Sequence, residues 1–373
     1  MNSSLFRKEI TNVKTLVVKT GSRILTADGH IERVKGLVED MAALHKSGVR
    51  VVLVSSGAIA HGMKALLLEK RPKAIPMLQA CAGIGQNRLM NMYQSFFGEH
   101  NILIGQVLLT WDDLRSKKRY LNLRNTFFQL QDFGAIPIVN ENDSVGVEEI
   151  QFGNNDTLGA QIALLVNADV YVNLTDVGGL YDKNPREDKN AKHIPVVHTV
   201  SSGIQKMASD KKNEISVGGM STKLKAAQIV TRAGIYALIG DGFDQRLLTV
   251  LNNENCATLF MPCEQKMPSK SRWIAFTGHS AGGITVDEGA CKAITQKGKS
   301  LLAAGITNVN GNFKTGDMVD IFNIDGEIIA RGMANFTAAE IELIRGDKSE
   351  QIEKKLGAIK FNEIIHRDNL VVL

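Results

Sequence analysis

Through roughly its first 260 residues the chain alternates short, β-branched apolar runs with longer stretches whose apolar residues recur at helical spacing. Parallel neighbours in a sheet need a crossover of a dozen or more residues, and a helix is the usual crossover. The alternation therefore restricts the fold to α/β: an αβα sandwich with a largely parallel sheet. Leu16–Lys19, Val49–Ser55, Ile102–Thr110, Ile136–Asn140 and Val170–Leu174 are expected as strands. Ile31–Ser47, Ile75–Phe97, Asp112–Phe133 and Asp156–Asn167 are expected as helices between them, and an amphipathic helix is expected over Ser221–Arg232. Gly48 and Gly134 stand where a glycine should end a helix before a strand.

The pattern changes near Met261. Met261-Pro-Cys-Glu-Gln-Lys-Met-Pro-Ser-Lys-Ser271 is polar and bounded by prolines, which suits a boundary between compact parts. The expected division is one domain over 1–262, a linker over 263–275 and a small β-rich domain over 276–373. In the last part Met318–Asn323 and Glu327–Ala330 flank Asp325-Gly326, a strong short-range hairpin signal.

A chain of 373 residues with 44% hydrophobic and 22% charged residues has the make-up of an ordinary globular protein. The formal charge of +5 is unevenly placed: from Phe276 onward 11 Lys and Arg face 13 Asp and Glu, so the excess lies in the first part. That suits small anionic substrates, although a solvated surface bias explains it as well. The acidic tail argues against a nucleic-acid footprint. Cys81, Cys256, Cys263 and Cys291 form no C-x-x-C pair and no zinc-ligand spacing with His, so buried free thiols in a reducing compartment are expected. The N-terminal residues lack the apolar region of a signal peptide, and no run approaches the ~20 apolar residues of a membrane span. A cytoplasmic protein is expected.

The residues that carry chemistry fall just after the apolar runs, which is where open α/β sheets bind ligands. Lys19 ends the first run, in Val-Val-Lys19-Thr-Gly-Ser-Arg23, and Gly218-Gly-Met-Ser-Thr-Lys223 answers it two hundred residues later. Two lysines beside glycines can clamp a transferring phosphoryl group, because glycine lets backbone N–H groups approach an anion. The second motif is not the Walker arrangement, since its lysine follows the hydroxyl residues; a glycine turn into a helix is the plainer reading. Ser55-Ser-Gly-Ala58 could meet an anion at a helix start or serve only as a cap. Asn140-Glu-Asn-Asp143 and Phe152-Gly-Asn-Asn-Asp156 lack the EF-hand order, leaving polar binding loops or Asn/Asp turns. Leu174-Thr-Asp176-Val-Gly-Gly-Leu-Tyr181 could hold a nucleotide base or ribose. His61 and His100 stand isolated and are not expected to catalyse.

Together these motifs resemble the amino-acid kinase family along nearly the whole chain, and Gly283-Ile-Thr-Val-Asp-Glu-Gly289 with His366-Arg-Asp368 resembles the PUA domain that many bacterial members append. The resemblance is strongest to the branch that phosphorylates the γ-carboxylate of L-glutamate, the first step of proline biosynthesis. It implies that Lys19 and Lys223 stabilise the transferring group, with Asp156 holding them. It further implies that Ser56, Gly57, Asp143 and Asn155 bind glutamate. Lys19, Thr175 and Asp176, with Val217, Gly218, Gly219, Met220, Ser221, Thr222 and Lys223, would hold ATP. Mg²⁺ would be carried by the nucleotide, and the chain itself is expected to present no metal-ligand set.

Arg23, Asn154 and Val217 depart from the family's pattern, and none is a group assigned to chemistry. The resemblance also implies a homo-oligomer, proline as feedback inhibitor, and hand-off of a labile acyl phosphate to glutamate-5-semialdehyde dehydrogenase. A missing catalytic histidine fits, because a carboxylate with a reference pKa near ~4.3 is already ionised at neutral pH and needs no general base. Two alternatives stay open on sequence: another family member acting on a different carboxylate or phosphate acceptor, and an RNA-binding protein working through its PUA-like part.

Overall fold

A computed structural model of the chain describes residues 7, 8, 10, 12–146, 155–201, 203–205, 219–264, 266–278, 280–357 and 361–373. These form two compact units, Met1–Lys266 and Met267–Leu373.

In the first unit β1 (Thr15–Thr20) is followed by α1 (Ser22–Thr26), α2 (His30–Lys46), β2 (Arg50–Val54), α3 (Ala58–Ala65), α4 (Ile75–Gly98) and β3 (Ile104–Leu109). Next come α5 (Trp111–Arg115), α6 (Lys117–Asp132), β4 (Ile136–Glu141), α7 (Asn155–Leu165) and β5 (Val170–Thr175). Three two-residue strands follow, β6 (Leu180–Tyr181), β7 (His193–Ile194) and β8 (Val196–Val197), then α8 (Met220–Arg232), β9 (Tyr236–Asp241), α9 (Leu247–Asn252) and β10 (Ala257–Phe260). The main sheet has eight strands in the order β3-β4-β2-β1-β5-β9-β10-β8. Its one antiparallel pair is β9 with β10, so the expected largely parallel sheet is present.

Strands covered on both faces read as continuous apolar runs, and every residue of β1, β4 and β5 is buried. The two faces separate cleanly. Leu16 and Val18 of β1, Val51 and Leu53 of β2, and Val170 and Val172 of β5 join the core formed with α2, α4 and α9. Val17 and Lys19 point the other way, and there α7 packs so closely that a Cβ at Gly159 would stand 3.2 Å from the Lys19 Cβ.

Gly48 and Gly134 follow α2 and α6 with φ of 92° and 73°, as expected. The expected single helix over Asp112–Phe133 is two helices. A capping box between Thr110 and Asp113 starts α5, and Ser116, with ψ of 115°, ends it after little more than one turn and parts it from α6. Strands β9 and β10 had no sequence expectation, although the apolar run over 235–239 is as long as those read as strands. The four cysteines are free thiols as expected, but of them Cys81 alone is buried: Cys256 and Cys291 are half-buried and Cys263 is exposed.

The second unit opens with α10 (Ser269–Arg272), so part of the stretch read as linker is ordered here, with Trp273, Ile274 and Ala275 buried. A five-stranded sheet follows, in the order β12-β11-β13-β14-β15, from β11 (Gly282–Val286), β12 (Ile306–Gly311), β13 (Met318–Phe322), β14 (Ile328–Met333) and β15 (Leu370–Val372). β13 and β14 are the expected hairpin, paired antiparallel from Met318↔Met333. Ile284, Val319, Ile321, Ile341 and Ile364 lie in this unit's own core.

Candidate active site

Strand order reverses at β1: β2 pairs on one side of it and β5 on the other. The carboxyl ends of parallel strands splay apart at such a point, and a cleft of about 330 Å³ opens there. The ends of β1 and β5, the start of α1, the β2–α3 turn and the start of α7 line it.

Its floor is a charge cluster. Lys19 stands opposite Val54 on one neighbouring strand and Asn173 on the other. Its Nζ donates to Asp156 Oδ1 at 2.5 Å, and Asn173 Nδ2 donates to the same oxygen at 3.0 Å. Lys223, in the first turn of α8, donates to Asp156 Oδ2 at 3.4 Å, and the Thr222 hydroxyl donates there at 2.6 Å. Burial alone would raise the Asp156 pKa, but Lys19 and Lys223 overcome it and hold the carboxyl well below the usual range. The Lys223 ammonium is lowered, by burial first and by the Lys19 charge, against the pull of Asp156. Asp156 thus keeps two buried cations side by side.

A second cluster lies beside it. Ser56 Oγ donates to the carbonyl of Thr20 at 2.9 Å, and Asn155 Nδ2 reaches Ser56 Oγ and the Ser55 carbonyl, each at 3.1 Å. Neither serine caps α3: its N-cap is Gly57, with φ of 87°. Asn140 lines the same wall and is held by Gln86 of α4 at 2.9 Å. Oδ1 of Asp143 and Oδ1 of Asn155 are buried acceptors with no hydrogen-bond partner among the described residues. Most buried acceptors have a partner, so these two are open to a donor from a ligand. The Asp143 carboxyl is pushed up to about 7, by burial first and by the Glu141 charge second, with Arg71 opposing both.

The wall that carries Ser56 and Gly57 is fixed by close helix packing. A Cβ on Gly62 of α3 would meet the Cys81 carbonyl oxygen at 1.8 Å, and one on Gly85 of α4 would meet that of Ala58 at 1.8 Å. Only glycine admits the two backbones at that distance.

The mouth of the cleft carries Thr175 and Asp176. Asp176 Oδ2 accepts from Arg23 and, at 2.8 Å, from Arg186. Thr175 Oγ1 donates to Asp176 Oδ1 at 3.2 Å. Burial would raise the Asp176 pKa, yet Arg186 and then Arg23 bring it below the ordinary value.

Of the residues expected from sequence, Lys19, Ser56, Gly57, Asp143, Asn155, Asp156, Thr175, Asp176 and Lys223 all line this one cleft. Thr222 reaches it through Asp156. Gly219, Met220 and Ser221 begin α8 without lining it. Asn154, Val217 and Gly218 lie outside the described residues. Sequence reasoning passed over Arg71, Asn140, Gln86 and Asn173. Asn140 was legible as part of the Asn-Glu-Asn-Asp run, whereas Gln86 sits mid-helix and Asn173 mid-strand with no local signal.

The chain matches the amino acid kinase family over residues 14–241 and the PUA domain over residues 282–356. It is 44% identical over 367 residues to the glutamate 5-kinase of Syntrophus aciditrophicus (strain SB), which spans 98% of this chain and 95% of that one. Against the glutamate 5-kinase of Carboxydothermus hydrogenoformans the identity is 42% over 371 residues, 98% of this chain and 100% of the other. A solved carbamate kinase from Giardia lamblia bound to AMP-PNP aligns with 68% of this chain and 99% of its own at 17% identity, with a TM-score of 0.46.

Proposed function

The chain belongs to the amino acid kinase family and, within it, to the glutamate 5-kinases, and from that membership we infer how its cleft performs the reaction. The enzyme transfers the γ-phosphoryl group of ATP to the γ-carboxylate of glutamate, the first step of proline biosynthesis. A carboxylate oxygen forms a bond to the γ-phosphorus as the bond to the β,γ-bridging oxygen breaks, leaving γ-glutamyl phosphate and ADP. No proton moves, so the protein's task is to position both substrates and to stabilise charge.

In our reading the Lys19–Asp156–Lys223 cluster is the transfer point, and the observation that carries it is two buried ammonium groups converging on one carboxylate. That arrangement leaves positive charge in excess of Asp156 at a site shielded from water, where it acts most strongly on the transferring phosphoryl oxygens. Ser56, Asn155 and Asp143 form the glutamate subsite. The ionised Asp143 carboxylate faces the α-ammonium of the substrate, which supplies the partner its buried oxygen lacks. Thr175 and Asp176 mark the nucleotide end.

Mg²⁺ would be carried by the nucleotide, since Asp156 is already engaged by Lys19 and Lys223. When bound it would supply charge neutralisation to the phosphates. Proline shares the α-carboxylate and ammonium of glutamate and would compete at Asp143. The chain would act in the cytoplasm as a homo-oligomer and pass its easily hydrolysed acyl phosphate to glutamate-5-semialdehyde dehydrogenase. No helix among the described residues is long and apolar enough to cross a membrane.

The test is an acceptor screen with MgATP and hydroxylamine as trap. Glutamate should yield the hydroxamate, and aspartate and acetylglutamate far less. Equal turnover of aspartate would overturn the assignment of the acceptor subsite.

A further inference from the structure

The floor of the cleft is not the only place where two cations meet one carboxylate. At the mouth, the Arg23 and Arg186 guanidinium groups both donate to the same oxygen, Oδ2 of Asp176. Arg186 alone would satisfy that oxygen and balance its charge, so Arg23 adds a second positive charge over one negative. Its side chain is 66% exposed and yet lines the cleft, four residues beyond Lys19 across the Gly21-Ser22 turn. The two clusters line one cleft, Lys19, Asp156 and Lys223 in one and Arg23 and Asp176 in the other, and the Asp176 charge reaches the Lys223 ammonium. A ligand reaching from one cluster to the other would meet excess positive charge at both ends. A nucleotide polyphosphate carries charge along its length and suits such a cleft, whereas a single carboxylate offers charge at one point.

We propose that Arg23 is a second phosphate clamp of the nucleotide site, leaving Asp176 to Arg186 when MgATP binds and donating to the non-bridging oxygens behind the transferring phosphoryl group. The exchange costs little, because an exposed ion pair gives way and Asp176 keeps a cation. The planar guanidinium suits phosphate because it offers two parallel N–H donors. Arg23 contributes to holding the nucleotide rather than to the bond-making step, so it acts on the MgATP constant and leaves the acceptor constant alone. This deepens the reading of the cleft's nucleotide end and rests on it.

The experiment compares the full chain with Arg23→Ala, Arg23→Lys and, in parallel, Lys223→Ala in the hydroxamate assay, together with inhibition by inorganic tripolyphosphate. Arg23→Ala should raise KM for MgATP about tenfold and weaken tripolyphosphate inhibition by a similar factor, with KM for glutamate changed less than about twofold. Arg23→Lys should restore part of the loss, and serves also if the alanine variant is poorly folded. An unchanged MgATP constant with unchanged tripolyphosphate inhibition would reduce Arg23 to a surface ion pair and overturn the proposal. A rise confined to the glutamate constant would place the guanidinium at the acceptor end and overturn it too. Lys223→Ala separates the two readings. If it loses turnover while Arg23→Ala does not respond, only the Arg23 proposal fails; if Lys223→Ala is itself near normal, the reading of the Lys19–Asp156–Lys223 cluster as the transfer point fails, and the clamp placed behind it is overturned as well.

Discussion

Lys19 and Asp156 are 137 residues apart in sequence, and their Nζ and Oδ1 atoms are 2.5 Å apart in the interior. The contact exists because Gly159, one turn along α7, lets that helix lie against β1, where a Cβ would stand 2.9 Å from the Tyr171 ring and 3.2 Å from the Lys19 Cβ. Tyr171 completes the arrangement by donating from its hydroxyl to the Asp156 carbonyl at 3.0 Å. The placing of charge in this cleft is therefore set by backbone packing as much as by the charged residues.

Lys19→Ala and Lys223→Ala should each lower kcat by about 10²–10³, the effect of removing one preorganised donor from a transition state. Circular dichroism should show both variants folded. Near-normal kcat in either would make that lysine structural.

Asp156→Ala should be worse for stability than either lysine change. It leaves two buried ammonium groups without their shared counter-ion, a loss on the order of 3–5 kcal/mol for a broken buried pair. Urea unfolding would measure it. The sign with pH follows from the depressed carboxyl: its contribution is present above the unfolded value of ~3.8 and is lost as pH falls below it. The gap between wild type and Asp156→Ala should thus hold from pH 8 to pH 5 and close in stronger acid.

Asp143 titrates in the opposite sense. Its carboxyl, together with Glu141, holds a proton up to about 7 in the free protein, so kcat/KM for glutamate should fall as pH drops below 7, roughly tenfold per unit. Asp143→Asn should give a low value with a flat profile over the same range, while KM for MgATP stays near normal. The folded state keeps this proton longer than the unfolded chain does, so between about pH 4 and 7 the group lowers stability as pH rises. Ligand-free Asp143→Asn should therefore melt higher than wild type at pH 8. A lower melting temperature would show Asp143 to be a structural residue.

Gly85→Ala should damage both the fold and the acceptor subsite. The new methyl would overlap the Ala58 carbonyl, and relief requires α3 to move away from α4. Overpacking of this kind costs typically 1–3 kcal/mol, occasionally more. Since α3 follows directly from Ser56 and Gly57, KM for glutamate should rise more than KM for MgATP. Equal shifts in both constants would contradict this coupling.

A chain ending at Lys266 should keep glutamate-dependent hydroxamate formation, because every residue lining the cleft lies in the first unit and that unit has its own core. A soluble, folded truncation without activity would place part of the machinery in the second unit.

The alternation of apolar runs and helical segments, read locally, was enough for the central strands and for the end of the sheet where ligands gather. A continuous run such as Leu16-Val-Val18 has few ways to be buried except between two helical layers. The residues after each run, Lys19, Ser56, Asp143 and Asp176, were legible for the same reason: connections at that end are loops, and polar side chains there are free to serve a ligand. The break at Ser116 and the strands β9 and β10 were not read, although the Thr110–Asp113 capping box and the apolar run over 235–239 are local signals; only the pairing of β9 with β5 and β10 needed neighbours in space. Nor was the partner of each charge. That Asp156 sits between two lysines, that Asn173 and Thr222 share it, and that Arg23 and Arg186 converge on Asp176 depend on which strands neighbour β1 and on how closely α7 and α8 approach. The sequence alone determined which residue types stand at the ends of the strands, because a period-two or period-3.6 pattern is a local property. Only the tertiary structure decided the pairings among them, because a Coulomb interaction depends on distance and burial, and both are set by packing between segments far apart in the chain.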